Sequence, residues 1–104
     1  SKDVIVFHDD LDINFGKVKA KFGGGSAGHN GIESIDKFIG KDYSRVRIGI
    51  GRPKNTENPA DHVLHNFNDE EKTALDNLIS NITSSFTILV DKKLDLFSSK
   101  VNNS

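Results

Sequence analysis

Residues 17–50 read KVKAKFGGGSAGHNGIESIDKFIGKDYSRVRIGI, and this stretch decides the fold. Its first six residues alternate lysine with apolar side chains, which predicts a half-exposed strand. The glycine-rich run 23–28 predicts a loop, because glycines weaken any regular element. Apolar residues then recur at helical spacing as far as Gly40, a typical C-cap residue. Alternation resumes over 44–50, so the predicted order is strand, loop, helix and strand.

The segments on either side extend this order to one domain. Val4–Phe7 is a continuous apolar run, typical of a strand buried on both faces of a sheet. Because strands and helices alternate and no linker or repeat interrupts them, we expect a single α/β domain over residues 1–97. Its predicted architecture is a mixed β-sheet flanked by helices.

The C-terminal part of the chain predicts a long helix. Asn68 and Glu71 have the spacing of a capping box, and apolar residues then recur at steps of three and four as far as Val90. We expect this helix to bend near residues 91–93. We also expect residues 98–104 to form a disordered tail.

The composition excludes several classes of protein. The chain has 104 residues and no cysteine, which excludes a disulfide framework, a thiolate metal site and a cysteine nucleophile. Its apolar runs are too short for a membrane span or a signal peptide, so we expect a cytoplasmic protein with no membrane partner. The chain also lacks methionine and begins its first strand near Val4. We therefore expect it to be a piece of a longer protein.

Charge is distributed unevenly along the sequence. The net charge is only -1, which excludes a broadly basic protein of the histone type. Residues 17–54, however, contain nine Lys or Arg and only three acids, and they lie between acidic ends. This pattern indicates a local anion site, with a chance scatter of charges as the alternative.

Three features of the sequence could form a catalytic or binding site. The first is the run His8-Asp9-Asp10-Leu11-Asp12 at the end of the first strand. Ligands of open α/β sheets bind outside the carboxyl ends of the strands. An Asp there can orient a histidine during base catalysis, or it can bind magnesium. The other interpretation is a solvated turn, which Asp also favours.

The second feature is the segment GGGSAGHNG, residues 23–31, which opens the predicted helix. Its glycines let a ligand approach the backbone, and the helix N-terminus presents free N–H groups to a phosphate or an oxyanion. The segment matches neither the nucleotide P-loop nor the dinucleotide fingerprint. Glycine-rich turns without a ligand are common, and His29 and Asn30 are the side chains that favour a functional interpretation.

The third feature is a pair of basic strand faces, formed by Lys17, Lys19 and Lys21 on one strand and Arg45 and Arg47 on another. If both faces align in one sheet, they form a cationic patch suited to phosphates. The alternative is a solvated face whose lysines protect a sheet edge. The scarcity of Tyr and Trp argues against a module that stacks single-stranded bases.

A zinc pair is conceivable at His62 and His65, which lie three residues apart. No third ligand lies nearby in the sequence, so surface histidines are the preferred interpretation.

Four blocks of the sequence together resemble the bacterial-type peptidyl-tRNA hydrolase family. In order, they are residues 8–12, Phe15-Gly16-Lys17, residues 23–31 and residues 45–53. The segment 60–64 and the helix after Asn68 also fit, so the resemblance covers nearly the whole chain. It implies hydrolysis of the ester that joins a peptide to the 3′ ribose of tRNA, without a metal or cofactor.

The resemblance also implies roles for individual residues. Asp9 would be catalytic, by orienting and stabilising the histidine that activates water. Asn30 would hydrogen-bond the substrate at its reacting end, and His29 would shape the cleft beside it. Lys21 and Arg47 match the family's clamp on the tRNA 5′ phosphate. The implied partner is peptidyl-tRNA, held by its acceptor end and 5′ phosphate, and the full-length protein would be a monomer.

The chain departs from the family's pattern at its N-terminus. The family's catalytic histidine lies in a segment with an Asn-Pro-Gly turn and a Thr-Arg-His-Asn stretch, and neither occurs here. We therefore expect the C-terminal portion only, with N-terminal strands missing, a sheet edge exposed at Val4–Phe7 and no activity in this chain alone. Smaller departures are Ala27 and His65, at positions where the family usually has glycine.

Two other functions remain open at this point. One is a non-catalytic RNA-binding relative of the same fold, against which the retained Asp9 and Asn30 argue. The other is a small module that binds a phosphate or a mononucleotide through the glycine loop, without tRNA.

Overall fold

The computed structural model describes residues 3–26, 28–51 and 67–103. Three strands form one sheet: β1 (Ile5–Asp10), β2 (Val18–Phe22) and β3 (Ser44–Gly49). The helices in the described residues are α1 (Asn30–Ile39), α2 (Asp69–Ser84), α3 (Phe86–Val90) and α4 (Leu94–Asn102). The predictions for Ala27, for the segment 60–64 and for His62 and His65 lie outside the described residues.

The sheet is mixed, as predicted. Its strand order is β1-β3-β2, with β1 parallel and β2 antiparallel to β3. Lys19 lies opposite Arg47, and Lys21 lies opposite Arg45, so the two basic faces align as the sequence analysis proposed. On the other side of β3, Arg47 lies opposite His8 of β1.

Strand β1 differs from the prediction of a strand buried on both faces. Within the described residues it pairs only with β3, and Phe7 is 41% exposed. Among the described residues, β1 therefore lies at an edge of the sheet. A continuous apolar run predicts that other parts of the protein cover both faces of the strand. The described residues supply only part of that cover. The strand also continues to Asp10, so His8 and Asp9 belong to it.

The hydrophobic core lies on the sheet face opposite the basic side chains. It is formed by apolar residues of β2, β3 and the three C-terminal helices: Val18, Ala20, Val46, Leu78, Ile82, Leu89, Phe97 and Val101. Burial of each of the larger side chains stabilises the fold by about 1.5–3 kcal/mol. This core fixes the sheet, and with it the spacing of the basic side chains.

Helix α1 begins and ends as predicted. Gly40 adopts a φ of 77°, which favours glycine, and its N–H donates to the Asp36 carbonyl. Of its apolar face only Ile32 is buried, whereas Phe38 is 89% exposed. The helix is therefore held largely by polar contacts, described below.

The long C-terminal helix is divided. The capping box of Asn68 and Glu71 is present, but α2 ends at Ser84, where the sequence predicted continuation to Val90. The Ser85 N–H bonds back to the Asn81 and Ile82 carbonyls, which closes the helix before α3 begins. The predicted bend near 91–93 is present as a turn.

The prediction of a disordered tail over 98–104 is wrong for the residues described, because α4 extends to Asn102. Val101 is 3% exposed and belongs to the core. The Asn102 side chain accepts from the Val18 N–H and donates to the Val18 carbonyl, both at 2.8 Å. Ser98 Oγ accepts from the Ala20 N–H at 2.8 Å. Helix α4 thus supplies hydrogen-bond partners to backbone groups at the free edge of β2. A solvated tail would leave these groups without protein partners.

Among the described residues, no helix has both the length and the apolar character that crossing a membrane would need.

Candidate functional site

A cleft of about 290 Å³ opens on the basic side of the sheet. It is lined by charged side chains of all three strands and by the glycine loop: His8, Asp10, Lys21, Arg45, Arg47 and residues 23–26. The cleft therefore contains both side chains expected to bind phosphate, Lys21 and Arg47. Its shape and charge suit a small anion.

Arg47 is oriented by Asp10. Its Nε donates to Asp10 Oδ2 at 2.7 Å. Burial alone would raise the pKa of Asp10, but the Asp12 N–H and the Arg47 guanidinium outweigh it and lower the pKa. The only Arg47 nitrogen with a partner among the described residues is Nε. The two terminal nitrogens of the guanidinium can therefore reach a ligand.

Arg45 differs from the prediction of an exposed basic face, because it is only 2% exposed. Its Nη2 donates to Asp36 Oδ1 at 3.1 Å, and its Nη1 donates to the Gly25 carbonyl at 2.9 Å. Its guanidinium also lies 4.6 Å from the ring centroid of Tyr43, whose hydroxyl donates to Asp36 Oδ1. Helix α1 covers this part of β3, so Arg45 joins the helix, the strand and the glycine loop.

The three lysines of the basic strand face separate in the structure. Lys17 Nζ donates to the Asn102 carbonyl at 3.0 Å, at the far end of β2. Lys21 lies beside Gly24, where an added Cβ would come within 3.5 Å of Nζ. In the described part of the chain, Lys21 has no ion-pair partner. It is thus the lysine that brings unneutralised charge to the cleft.

A second cluster joins Asp9 to the first turn of α1. His29 is the N-cap residue, and its Nδ1 accepts from the Ile32 N–H at 3.2 Å. Its Nε2 lies 2.7 Å from Asp9 Oδ1 and therefore carries the proton that it donates to the carboxylate. Both ring nitrogens of His29 are engaged, so this ring has no lone pair for a base. The Asp9 side chain remains 39% exposed and can accept a further donor.

Asn30 follows His29 and is exposed at the first position of α1. The bond between His29 and Asp9 holds this end of the helix against β1, so the backbone places Asn30 beside the same strand end. The sequence placed Asp9 in one motif and His29 with Asn30 in another, and the structure brings the two motifs to one side of the fold. No three His, Asp or Glu side chains in the described ranges converge as a metal site would require.

A tight contact accounts for two of the sequence motifs. Gly49 ends β3, and a Cβ there would collide with the backbone carbonyls of Ile13 and Asn14. The Gly49 N–H donates to the Lys17 carbonyl at 2.8 Å, and the Gly51 N–H donates to the Ile13 carbonyl at 3.0 Å. The Phe15-Gly16-Lys17 block therefore packs against the glycines that end β3. This is the same end of the strands at which Asp9 lies.

Sequence reasoning missed the carboxylates that organise the cleft. Asp10 was one of several acids in its cluster, and Asp36 was one acid on an amphipathic helix. A signal existed for Asp10, because it lies two residues after His8 and shares its strand face. Its pairing with Arg47 depends on the sheet register, which no local pattern contains.

The family model described as peptidyl-tRNA hydrolase matches residues 1–104. The peptidyl-tRNA hydrolase of Pelagibacter ubique is 71% identical over 103 residues, which are 99% of this chain and 55% of that protein. That of Rickettsia bellii is 47% identical over 98 residues, 94% of this chain and 53% of that protein. The chain spans about half the length of the curated relatives it matches.

Solved structures give the same result. The crystal structure of peptidyl-tRNA hydrolase from Acinetobacter baumannii has a TM-score of 0.79 and 36% sequence identity. The match covers 94% of this chain and 50% of that one. A substituted form of the Acinetobacter protein has a TM-score of 0.81 at the same identity and coverage.

Proposed function

Because this chain belongs to the peptidyl-tRNA hydrolase family, we propose that the protein hydrolyses the ester bond between peptide and tRNA in peptidyl-tRNA. One observation supports this most directly: a cationic cleft is lined by His8 and Asp10 of β1, and Asp9 between them is hydrogen-bonded to His29. The cleft suits the phosphate of a tRNA terminus, and the pair suits the reacting end of the substrate.

In this reaction a water oxygen attacks the ester carbonyl carbon, and a general base accepts the water proton. The bond to the 3′ ribose oxygen breaks and that oxygen takes up a proton, which leaves a free peptide and a deacylated tRNA. Asp9 is the catalytic residue of this chain, because its carboxylate orients the base and stabilises its positive charge. His29 is not the base, since both of its nitrogens are engaged. Asn30 hydrogen-bonds the substrate beside this pair.

Lys21 and Arg47 bind the 5′ phosphate of the tRNA. Arg47 is held by Asp10 with its terminal nitrogens available, and Lys21 adds a charge with no carboxylate partner among the described residues. Removal of either charge weakens binding more than turnover, because the phosphate lies away from the scissile ester. Binding also weakens as salt increases.

The chain alone is catalytically inactive, because it lacks a histidine in the sequence context of the family's base. Loss of a general base lowers the rate by roughly 10²–10⁴. The extended chain, defined as this chain preceded by the N-terminal segment that the family carries, is the active form. It acts in the cytoplasm as a monomer.

Deacylation of a peptidyl-tRNA by this chain and by the extended chain tests the proposal. Activity in the extended chain only is the expected result. Activity in the chain alone would overturn the assignment of the base to the upstream segment. If neither form cleaves the ester but both bind the tRNA, the chain belongs to a non-catalytic RNA-binding relative.

The phosphate clamp has its own test in the extended chain. Lys21→Gln and Arg47→Gln are expected to raise KM about tenfold each with a smaller effect on kcat, as loss of a charge-assisted hydrogen bond predicts. Lys37→Gln is the matched control, because Lys37 is exposed on α1 and does not line the cleft. Equal effects of all three substitutions would contradict the clamp.

A further inference from the structure

His8 lines the cleft and has no role in the reaction proposed above. It lies on β1 directly opposite Arg47 of β3, and it shares the cleft with Asp10 and Lys21. Its ring is half-buried, with its centroid 5.1 Å from that of His29 in an edge-to-face arrangement. A titratable side chain thus lies among the groups that hold an anion.

The hydrogen bond of His8 fixes which nitrogen faces a ligand. Nδ1 lies 2.9 Å from the Asp9 backbone carbonyl, which can only accept, so Nδ1 carries the proton. Nε2 then has a lone pair, and no partner for it exists within residues 3–26, 28–51 and 67–103. Burial lowers the pKa of His8, and it outweighs this hydrogen bond and the carboxylates of Asp10 and Asp9, which act in the opposite direction. Burial therefore favours the neutral form of His8 when no anion is bound.

The charges of the cleft do not match those of a terminal phosphate. Lys21, Arg45 and Arg47 contribute three positive charges, while Asp10 and Asp36 neutralise two of them through their ion pairs. One positive charge remains. A terminal phosphate monoester carries about -1.5 to -2 at pH 7, whereas an internal phosphodiester carries about -1. The cleft as it stands balances the diester and lacks about half a charge to one charge for the monoester.

We propose that His8 is a specificity-determining residue that takes up a proton when a terminal phosphate monoester binds, and so favours it over an internal phosphodiester. This inference rests on the proposed function of the cleft. The bound dianion stabilises the imidazolium, whose Nε2–H donates to a phosphate oxygen. Asp9 and Asp10 on the same strand support protonation. The positive charges of Arg47 from β3 and Lys21 from β2 oppose it, whereas His29 from α1 is neutral in its two hydrogen bonds and adds no charge.

The test measures binding of acceptor-stem RNA hairpins with a 5′ phosphate or a 5′ hydroxyl to the extended chain. Calorimetry in buffers of different ionisation enthalpy gives the number of protons exchanged. For the phosphorylated hairpin we expect uptake of up to about one proton, and an affinity that falls by up to about tenfold per pH unit above pH 6.5. His8→Gln is expected to remove the uptake and to flatten this pH profile. The hydroxyl hairpin is expected to show neither effect.

Lys37→Gln is the control, because it removes a charge outside the cleft and should retain the profile of the unsubstituted protein. A phosphate preference with the same pH profile in His8→Gln would overturn the role of His8 and leave the clamp intact. Absence of any phosphate preference in the unsubstituted protein would overturn the clamp, and the inference with it.

A second measurement covers the case in which His8→Gln does not fold. The imidazole resonances of His8 are followed by NMR against pH in the unsubstituted protein, with and without the phosphorylated hairpin. We expect the midpoint of the His8 titration to rise on binding. An unchanged midpoint in the saturated complex would overturn the inference.

Discussion

His29 connects β1 to α1 through both of its ring nitrogens. Nε2 donates to Asp9 Oδ1 at 2.7 Å, and Nδ1 accepts from the Ile32 N–H at 3.2 Å. One side chain thus caps the helix that begins at Asn30 and fixes that helix against the strand that carries Asp9. The relative position of the two proposed substrate-facing residues, Asp9 and Asn30, depends on this imidazole.

Substitution of His29 separates its two roles. His29→Ala removes the cap and the link to β1, and we expect it to lower the free energy of unfolding by about 1–2 kcal/mol. His29→Asn restores a cap side chain but not the link, and we expect it to recover most of that loss. Urea unfolding of the two variants gives the comparison. Equal destabilisation by Ala and Asn would mean that the helix cap contributes little.

Asn102 stabilises the edge of β2 through a pair of hydrogen bonds to Val18. In Asn102→Ala, the buried Val18 N–H and carbonyl lose their partners, and we expect a loss of about 2 kcal/mol of stability. Hydrogen exchange at the Val18 amide should accelerate by the corresponding factor. The control is Asn103→Ala, because Asn103 is exposed and its side chain contacts only Ser99 at 3.4 Å among the described residues. Unchanged slow exchange at Val18 in Asn102→Ala would show that the Asn102 side chain does not protect this amide.

Prediction from the sequence succeeded where the pattern that identifies a strand or helix lies within that strand or helix. The alternation in β2 and β3 and the capping box of α2 depend on neighbours within a few residues, and all three are present. The C-terminal helix was missed because Ser98 and Asn102 have the polarity of a solvated tail, while their partners lie in β2. The spacing of Phe97 and Val101 was a usable signal for that helix.

The candidate site shows the same limit. The alternation in β2 and β3 identified only the basic faces, and the resemblance to a family singled out Lys21 and Arg47 on them. The same resemblance identified Asp9 and Asn30. Which carboxylate neutralises which arginine depends on the sheet register and on where α1 packs. Arg45 and Arg47 therefore look equivalent in the sequence, although Arg45 is buried against Asp36 and Arg47 faces the cleft.

The buried pair of Arg45 and Asp36 gives a prediction for stability. Asp36→Ala leaves the guanidinium buried without its carboxylate, and we expect a loss of about 3–5 kcal/mol. Replacement of both partners by apolar residues, Arg45→Met with Asp36→Leu, is expected to cost less than Asp36→Ala alone, because no unpaired charge remains. Tyr43→Phe removes one hydrogen bond to Asp36 and should cost about 1 kcal/mol. Urea unfolding measures all of these variants, and a double replacement that costs as much as Asp36→Ala would contradict the penalty for an unpaired buried charge.

The lowered pKa of Asp10 gives a prediction of how the free energy of unfolding depends on pH. Although its burial opposes the charged form, the Asp12 N–H and Arg47 hold the pKa of Asp10 below its ordinary value in the folded state. Its folded pKa is lower than its unfolded one, so the carboxylate contributes stability that is fully present above the unfolded pKa. That contribution is lost as the pH falls through the folded pKa. We expect the free energy of unfolding to decline below about pH 4.

Asp10→Asn isolates this contribution, because the amide keeps the size of the side chain and removes the charge. The difference in unfolding free energy between the unsubstituted chain and Asp10→Asn should be constant from pH 5 to 7 and should shrink toward pH 2. Asp42→Asn is the control, since Asp42 is exposed and outside the cleft. A difference for Asp10→Asn that stays constant down to pH 2 would mean that the ion pair with Arg47 does not stabilise the fold. In that case Arg47 would be oriented by the ligand alone, and the cleft would not be formed before the phosphate arrives.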